Sequence, residues 1–326
     1  MAYIVISPRI EEHREALLNL WKENFRSGEM RKLAKERFAW LYQATPVDPA
    51  RTWLAMETGS NAVIGCGSVF PLNTYVEGRV VRTGIAVDFA VDIKHRIAGV
   101  ALAIQQALIS GSCAAGFDLL MAKPNQKAFP IFKRAGYQMI GETHEWLKPI
   151  DDDEFQLVDF TDEFVGSPDE RFDQLWDAGR PQYQNVGEKT AAYLNWRYST
   201  FKQRNYRYYC LLRRGDRRLA GYVVFNASTE SIYIADLLCE HPESPVLETL
   251  LLGLASRMRM EGKKWIRLWY LGGHLVESRI RSIGFAQGNS ELQVVARAGP
   301  RLPVDVRNGV FEKNNWFLFS GEMDLC

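Results

Sequence analysis

The sequence predicts an α+β protein on a mixed sheet, with one structural unit present twice. Three observations carry that expectation. In each half short β-rich stretches come first, and strands alternating with helices follow, which is the order of a mixed sheet covered by helices. Aromatic and glycine landmarks recur at one offset: Trp40 and Trp196, Tyr42 and Tyr198, and Gly65 and Gly221 are each 156 residues apart. Duplication of a unit of about 150 residues leaves that kind of trace. Finally, FKRAGY at 132–137 is echoed by IRSIGF at 280–285, where Gly136 and Gly284 are 148 apart, so the second copy has lost about one short loop.

Residues 10–24 place Leu17, Leu18 and Trp21 at helical spacing with charges opposite, and are expected as an amphipathic helix. Strands are expected over 51–57, 62–72 and 76–92, separated by Gly59-Ser-Asn61 and by Asn73-Thr74, both turn chemistry. An alanine-rich helix over 98–112 follows, with Gly111 as its stop, then a strand over 117–122, a helix over 126–135 and a strand over 137–147. The acidic run 151–154 after Pro149 marks a linker, dividing the chain into 1–150 and 151–326. Trp40 and Trp196 are expected as core anchors, because tryptophan buries a large area.

The 326 residues are 47% hydrophobic, with 40 basic and 39 acidic side chains. Such a chain has enough apolar surface for two cores and too little net charge for disorder. A formal charge of +1 also argues against a surface built throughout to hold nucleic acid. No apolar run approaches the ~20 residues of a membrane span. MAYIVISPRIEEHREALL has glutamates where a signal peptide has its apolar segment, so a cytoplasmic location is expected. Five widely spaced cysteines with no C-x-x-C pair predict neither a disulfide framework nor a zinc site, and no metal is expected.

The segment Val87 to Ala101 is expected to run from a strand through a short loop into a helix. The first helical turn has unpaired N–H groups and a partial positive charge, so it receives phosphate readily. Small residues at Ala98, Gly99 and Ala101 would let a pyrophosphate approach the backbone. These residues resemble the GNAT superfamily of acyl-CoA-dependent N-acyltransferases. Arg96-Ile97-Ala98-Gly99-Val100-Ala101 fits that family's Arg/Gln-x-x-Gly-x-Gly/Ala signature. Asn125-Gln-Lys-Ala128-Phe-Pro-Ile131-Phe132-Lys-Arg-Ala-Gly136-Tyr137 fits its second element, Asn-x-x-Ala-x-x-(Leu/Ile)-Tyr-x-x-x-Gly-(Phe/Tyr), at every position but one. The resemblance covers residues 1–148, and reaches 205–295 through the internal repeat.

The resemblance implies two tandem GNAT-like units, each a mostly antiparallel mixed sheet flanked by helices, and acetyl-CoA as acyl donor. The N–H groups from Arg96 to Ala101 would hold the pyrophosphate. The strand ending at Phe89-Ala-Val91 would splay from its neighbour and pair with the pantetheine arm. The Val91 N–H would polarise the thioester carbonyl. Asn125, Ala128 and Phe132 would line the donor. Phe132 stands where many members have a tyrosine that protonates the leaving thiolate, and phenylalanine cannot. The implied reaction is direct attack by a primary amine with no covalent enzyme intermediate. Asp88 is the first candidate for the general base, followed by Asp92, then Glu142 and His144. His95 is expected as a solvated neighbour.

In the second half the corresponding loop reads Ala235-Asp-Leu-Leu-Cys-Glu-His-Pro-Glu-Ser-Pro-Val246. Its carboxylates would repel a pyrophosphate and its prolines supply no N–H, so this copy is expected to have lost donor binding. Residues 197–218 hold eight basic side chains against Asp216 alone, with Tyr198, Phe201, Tyr206, Tyr208 and Tyr209 interleaved. Three explanations are open: a charged hairpin turn at 213–218, a phosphate- and base-binding face, or arginines that hold an anionic acceptor such as a sugar nucleotide. The second would suit a relative of the Fem-type aminoacyl-tRNA-dependent transferases; a non-catalytic binding protein is the other alternative. The acceptor is expected to be a small-molecule amine, with an amino sugar or sugar nucleotide as the first choice, and nucleic acid is not the expected partner.

Overall fold

The structure is a computed structural model and describes residues 2–25, 28–46, 48–96, 99–151 and 155–323. The first half forms β1 (Tyr3–Ile6), α1 (Arg14–Asn24), α2 (Gly28–Tyr42), β2 (Arg51–Glu57), β3 (Val63–Val76), β4 (Arg79–Val91), α3 (Val100–Ala114), β5 (Leu119–Ala122), α4 (Phe129–Arg134) and β6 (Gln138–Pro149). The second half forms β7 (Phe160–Val165), α5 (Glu170–Gly179), β8 (Asn185–Gly187), α6 (Ala191–Leu194), β9 (Arg207–Arg213), β10 (Leu219–Ala227), β11 (Ser231–Cys239), α7 (Val246–Met260), β12 (Trp265–Gly272), α8 (His274–Ser282), β13 (Ala286–Ala298), α9 (Val304–Phe311) and β14 (Phe317–Phe319).

One sheet runs through the chain in the order β1-β2-β3-β4-β5-β13-β6-β12-β11-β10-β9-β7, with β8 paired to β3 and β14 to β12. The two halves repeat one pattern from the edges inward. Neighbours are antiparallel until the pairs β4–β5 and β11–β12, which are parallel. The closing strands are exchanged: β13 lies between β5 and β6, and β6 lies between β12 and β13. Each half therefore completes the other's sheet, and the largest buried cluster draws side chains from both.

Trp40 and Trp196 are buried and stack on each other, with ring centroids 4.9 Å apart and planes 12° from parallel. Each indole N–H donates to the other residue's backbone carbonyl, at 2.9 and 3.2 Å. Equivalent positions of a duplicated unit meet in this reciprocal way at a local two-fold axis. The exchange of bonds also satisfies two buried indole donors that would otherwise be costly.

Several expected boundaries move. The turn placed at Asn73-Thr74 is strand; the hairpin instead turns at Glu77 and Gly78, both at positive φ (48° and 74°). Glutamate rarely takes that conformation, so it gave no turn signal. The helix expected over 98–112 runs over 100–114, because Gly111 does not stop it. Gly111 lies against the ring of Trp53, where an added Cβ would come within 2.6 Å. The helix expected over 10–24 opens with a 3-10 turn over Ile10–His13 before α1. β1 and α2 had no clear sequence signal, and most of the linker at 151–154 lies outside the described residues.

Gly65 and Gly67 let α3 settle on β3. A Cβ at Gly65 would stand 2.7 Å from Ile104 and 3.2 Å from the Ala90 carbonyl; one at Gly67 would stand 3.0 Å from Ile104. Gly65→Ala is therefore expected to lower stability by about 1–3 kcal/mol through overpacking, seen as a lower urea midpoint at unchanged m-value. A midpoint equal to wild type would show that α3 can shift without cost.

Candidate active site

β4 and β5 run parallel only from Thr83↔Leu119 to Ile85↔Met121. Beyond that point β4 continues to Val91 against β3 alone, so its other edge has no strand partner over 86–91 among the described residues. The β3–β4 register also slips between Cys66↔Ala90 and Ser68↔Val87, putting Asp88 and Phe89 opposite the single residue Gly67. That bulge holds Asp88 at φ 53°, which costs a non-glycine residue on the order of 1–2 kcal/mol. The bulge also sorts the side chains. Asp88 joins Val87 on the α1/α2 side, reaching Arg37 of α2. Phe89 and Val91 face the α3 side with Ile104. The Asp92 N–H bonds to the Ile64 carbonyl of β3 at 2.9 Å, so by strand alternation the groups of Val91 point to the open edge. Its carbonyl there accepts from Arg96 Nε at 3.1 Å.

The loop from β4 into α3 is fixed by local bonds. Asp92 Oδ1 accepts from the Lys94 N–H at 2.9 Å and sits 3.1 Å from His95 Nδ1. Partial burial works against the Asp92 charge, but these partners overcome it and hold the carboxyl below its ordinary value. His95 is largely buried rather than solvated, with Nε2 3.9 Å from Glu57. Gly99 caps α3 at φ 76°, and among the described residues outside its own chain neighbours the Tyr3 hydroxyl lies 3.6 Å from the position of an added Cβ. Val100 and Ala101 open the 15-residue helix, and its first turn contains no acidic residue. Ile97 and Ala98 lie outside the described residues.

On the far side of the open edge, Asn125 caps the turn into α4: its Oδ1 accepts from the N–H groups of Lys127 and Ala128 at 3.1 and 3.0 Å. Ala128 packs beside Phe132. Phe132 is buried, edge-on to Phe89 at 5.6 Å and to Tyr137 at 5.0 Å, so the α4 aromatic closes directly on the bulge. Of the carboxylates considered as bases, Asp88 is fully enclosed, with Arg37 Nε 2.7 Å from Oδ1. Glu142 and His144 lie on β6 opposite Gln293 and Glu291 of β13, away from the bulge strand. Cys66 donates its S–H to the Asp88 carbonyl at 3.0 Å, and burial, reinforced by the Asp88 charge, pushes its thiol up to about 12. It is no thiolate at neutral pH. Among the described residues no group of three His, Cys, Asp or Glu could hold a metal ion, and no helix is long and apolar enough to cross a membrane.

The second half carries the same architecture with its opening filled. β11 and β12 pair in parallel only as far as Ile234↔Leu268. Tyr270 of β12 pairs with His144 of β6 on one edge and with Phe319 of β14 on the other, so β14 occupies the edge that faces β11. Gly321 follows, so close to β11 that a Cβ would stand 2.6 Å from the Ala235 carbonyl. Arg197 Nε donates to the Gly321 carbonyl at 2.6 Å and a second guanidinium nitrogen to that of Met323. Buried within this arrangement, Lys189 Nζ lies 2.6 Å from Asp236 and 3.2 Å from Glu322. Asp236 is on the bulged strand β11, 148 residues after Asp88, the offset already seen between Gly136 and Gly284. The chain's own residues 317–323 thus take the space that the first half leaves open.

The end of the basic stretch, 213–218, is the hairpin turn between β9 and β10, and several of the stretch's cations are paired within the chain. Arg207 bonds Glu261 at 2.7 and 2.8 Å, Arg213 pairs with Glu240, and Arg218 with Asp216. Arg214 donates to the carbonyls of Leu157, Val158 and Phe160. Tyr198, Phe201, Tyr208 and Tyr209 are buried and offer no ring face to a base.

No protein-family model matches the sequence, and no curated protein sequence matches it. Solved structures do. A GCN5-related N-acetyltransferase from Anabaena variabilis matches at 13% identity and a TM-score of 0.71, over 91% of this chain and 73% of that chain. One from Kribbella flavida matches at 12% identity and a TM-score of 0.65, over 91% and 71%. A Pyrococcus horikoshii protein matches at 12% identity and a TM-score of 0.59, over 99% of this chain and 94% of that chain. With its splayed parallel pair, its bulged fourth strand and its helix opening at Gly99, this chain has the fold of the GCN5-related N-acetyltransferases.

Proposed function

We propose that the chain is an N-acyltransferase that moves an acyl group, acetyl in the simplest case, from acyl-CoA to a small-molecule primary amine. The observation that carries this reading is the unpaired edge of β4 over 86–91, leading directly to the opening of α3. An extended arm bearing amides suits the first feature, and a pyrophosphate suits the second. The absence of acidic side chains from the first turn of α3 fits that donor.

When bound, the donor supplies an acyl group on a sulfur leaving group. Arg96, Gly99, Val100 and Ala101 hold its phosphates, and Phe89 and Val91 hold its arm. In this reading the Val91 N–H stabilises charge on a carbonyl at the open edge. Asn125 and Ala128 shape the far wall. The reaction in this reading is direct attack by the amine, with no covalent enzyme intermediate. Asp88 sits at the right strand for taking the amine's proton, but its closed ion pair suits it better to holding the bulge. Amino sugars and sugar nucleotides remain the acceptor class we favour.

Calorimetric titration with acetyl-CoA tests the donor. One molecule per chain is expected, because residues 317–323 fill the second opening. Gly99→Glu is expected to weaken binding by about 10- to 100-fold, through the φ > 0 strain and repulsion of the phosphates. Absence of binding by the unaltered protein would overturn the proposal, and two sites per chain would overturn the assignment of the second half.

A further inference from the structure

The hairpin that turns at Glu77 and Gly78 meets the second half at its tip. The Glu77 N–H donates to the Gln184 carbonyl at 2.9 Å, next to the pairing of β3 with β8. Between this tip and the 3-10 turn Arg180–Gln182 that follows α5 lies a cavity of about 230 Å³. Tyr75, Glu77 and Gly78 line it from one half, and Arg180, Gln182 and Gln184 from the other. The Arg180 guanidinium lies over the Tyr75 ring, 4.7 Å from its centroid, and that ring stands edge-on to the buried Trp176 at 5.1 Å. The cation is therefore held in place, yet its N–H groups have no hydrogen-bond or ion-pair partner among the described residues. Glu77 is its counterpart from the other half. Its Oε1 accepts from Asn315 Nδ2 at 2.8 Å and its stem rests on Gly309 of α9, but no cation among the described residues pairs with it.

We propose that this cavity binds a small zwitterion of the α-amino acid type, with its carboxylate on Arg180 and its ammonium on Glu77. A guanidinium fixed by stacking keeps a planar fork free for bidentate contact with a carboxylate, and little ordering is left to do on binding. One cation and one anion line the same space without pairing with each other, so a ligand that carries both charges matches both. A simple acid would leave Glu77 unmatched, and a simple amine would leave Arg180 so. The size agrees, since sites for drug-sized ligands begin at about 300 Å³ and this one takes a molecule of a few heavy atoms. The site is separate from the donor opening. β4 begins just after Gly78 and has its open edge only at 86–91, so at about 3.3 Å per residue the two places lie about 25 Å apart along one strand.

Calorimetry of the full chain with the common L-amino acids, one at a time, tests the site. The deaminated acid and the decarboxylated amine of any amino acid that binds serve as control probes. At least one amino acid is expected to bind, and both of its controls to bind about tenfold more weakly or worse. Two variants locate the ligand. Arg180→Lys keeps the charge and loses the fork, and Glu77→Gln keeps an acceptor for Asn315 and loses the charge. Each is expected to weaken amino acid binding by about tenfold and to leave the unfolding temperature of the ligand-free protein unchanged. No binding of any amino acid by the unaltered protein overturns the proposal. Equal affinity for either control overturns the two-charge match. Binding that either variant retains in full places the ligand elsewhere, at the amine-accepting site for example, and overturns it as well. A loss of affinity that comes with a lower unfolding temperature in both variants gives Arg180 and Glu77 a structural role instead, with the same consequence.

Discussion

Lys189→Met is expected to lower the free energy of unfolding by about 3–5 kcal/mol, because it strands two carboxylates in the interior. Lys189, Asp236 and Glu322 are all fully buried. The remaining lone pairs are accounted for. Tyr198 donates to Asp236 Oδ2 at 2.9 Å, while the N–H groups of Gly187 and Phe319 reach the two oxygens of Glu322 at 3.1 and 2.9 Å. One ammonium therefore serves two acids, and the acids share it unequally. Burial, with the Asp236 charge added, outweighs Lys189 and leaves the Glu322 carboxyl raised above its ordinary 4.5. Burial opposes the Lys189 charge, but the two carboxylates raise its value above 10.5.

The signs of the pH dependence follow. Between 4.5 and its raised folded value, Glu322 carries more proton in the folded chain than in the unfolded one, so stability declines as pH rises through that window. Lys189 contributes stability below 10.5 that is lost as pH climbs through its raised value. Glu322→Gln should flatten the first slope and cost about 1–3 kcal/mol, since an amide has one oxygen for two N–H donors. Urea midpoints across pH measure both effects. A loss under about 1 kcal/mol for Lys189→Met would mean that water reaches the cluster and that residues 317–323 are loosely seated.

What the sequence made legible was local or repeated. Arg96, Gly99, Val100 and Ala101 could be placed at a helix opening because a loop motif and an alanine-rich run stand side by side. The doubled unit showed through Trp40, Trp196, Gly65 and Gly221, yet nothing in a repeat says that equivalent residues touch. The exchange of β6 and β13 was hidden for a related reason: alternating apolar and polar residues fit either neighbour, and only pairing across the whole chain decides. β14 is three residues long, too short for any periodicity, so the filling of the second opening had no signal of its own. One clue did exist. Asp88 and Asp236 share the 148-residue offset, and two acids repeated within apolar strands could have pointed to buried cations opposite them. Arg37 escaped notice because α2 was not recognised as a helix.

Asp88→Ala is expected to cost about 3–5 kcal/mol, because it leaves the buried Arg37 guanidinium with its nearest carboxylate gone. Apolar replacement of the whole pair, Arg37→Met with Asp88→Leu, should recover most of that loss. The recovered protein then separates the two roles open to Asp88. If the carboxylate holds the bulge, its removal lets β4 relax from the left-handed turn at φ 53°, Val91 swings out of register, and acetyl-CoA affinity falls by about tenfold even though the chain is folded. If it takes the proton of the attacking amine, donor affinity stays at the level of the unaltered protein, and turnover drops by about 10²- to 10⁴-fold with loss of the acid limb of the pH profile. The first outcome is the expected one. The carboxylate has no exposed atom through which an amine could reach it, and its partner lies on α2, on the opposite side of the sheet from α3 and Phe89. A bulge pinned from behind in this way presents a backbone N–H, and not a side chain, to the open edge of the strand.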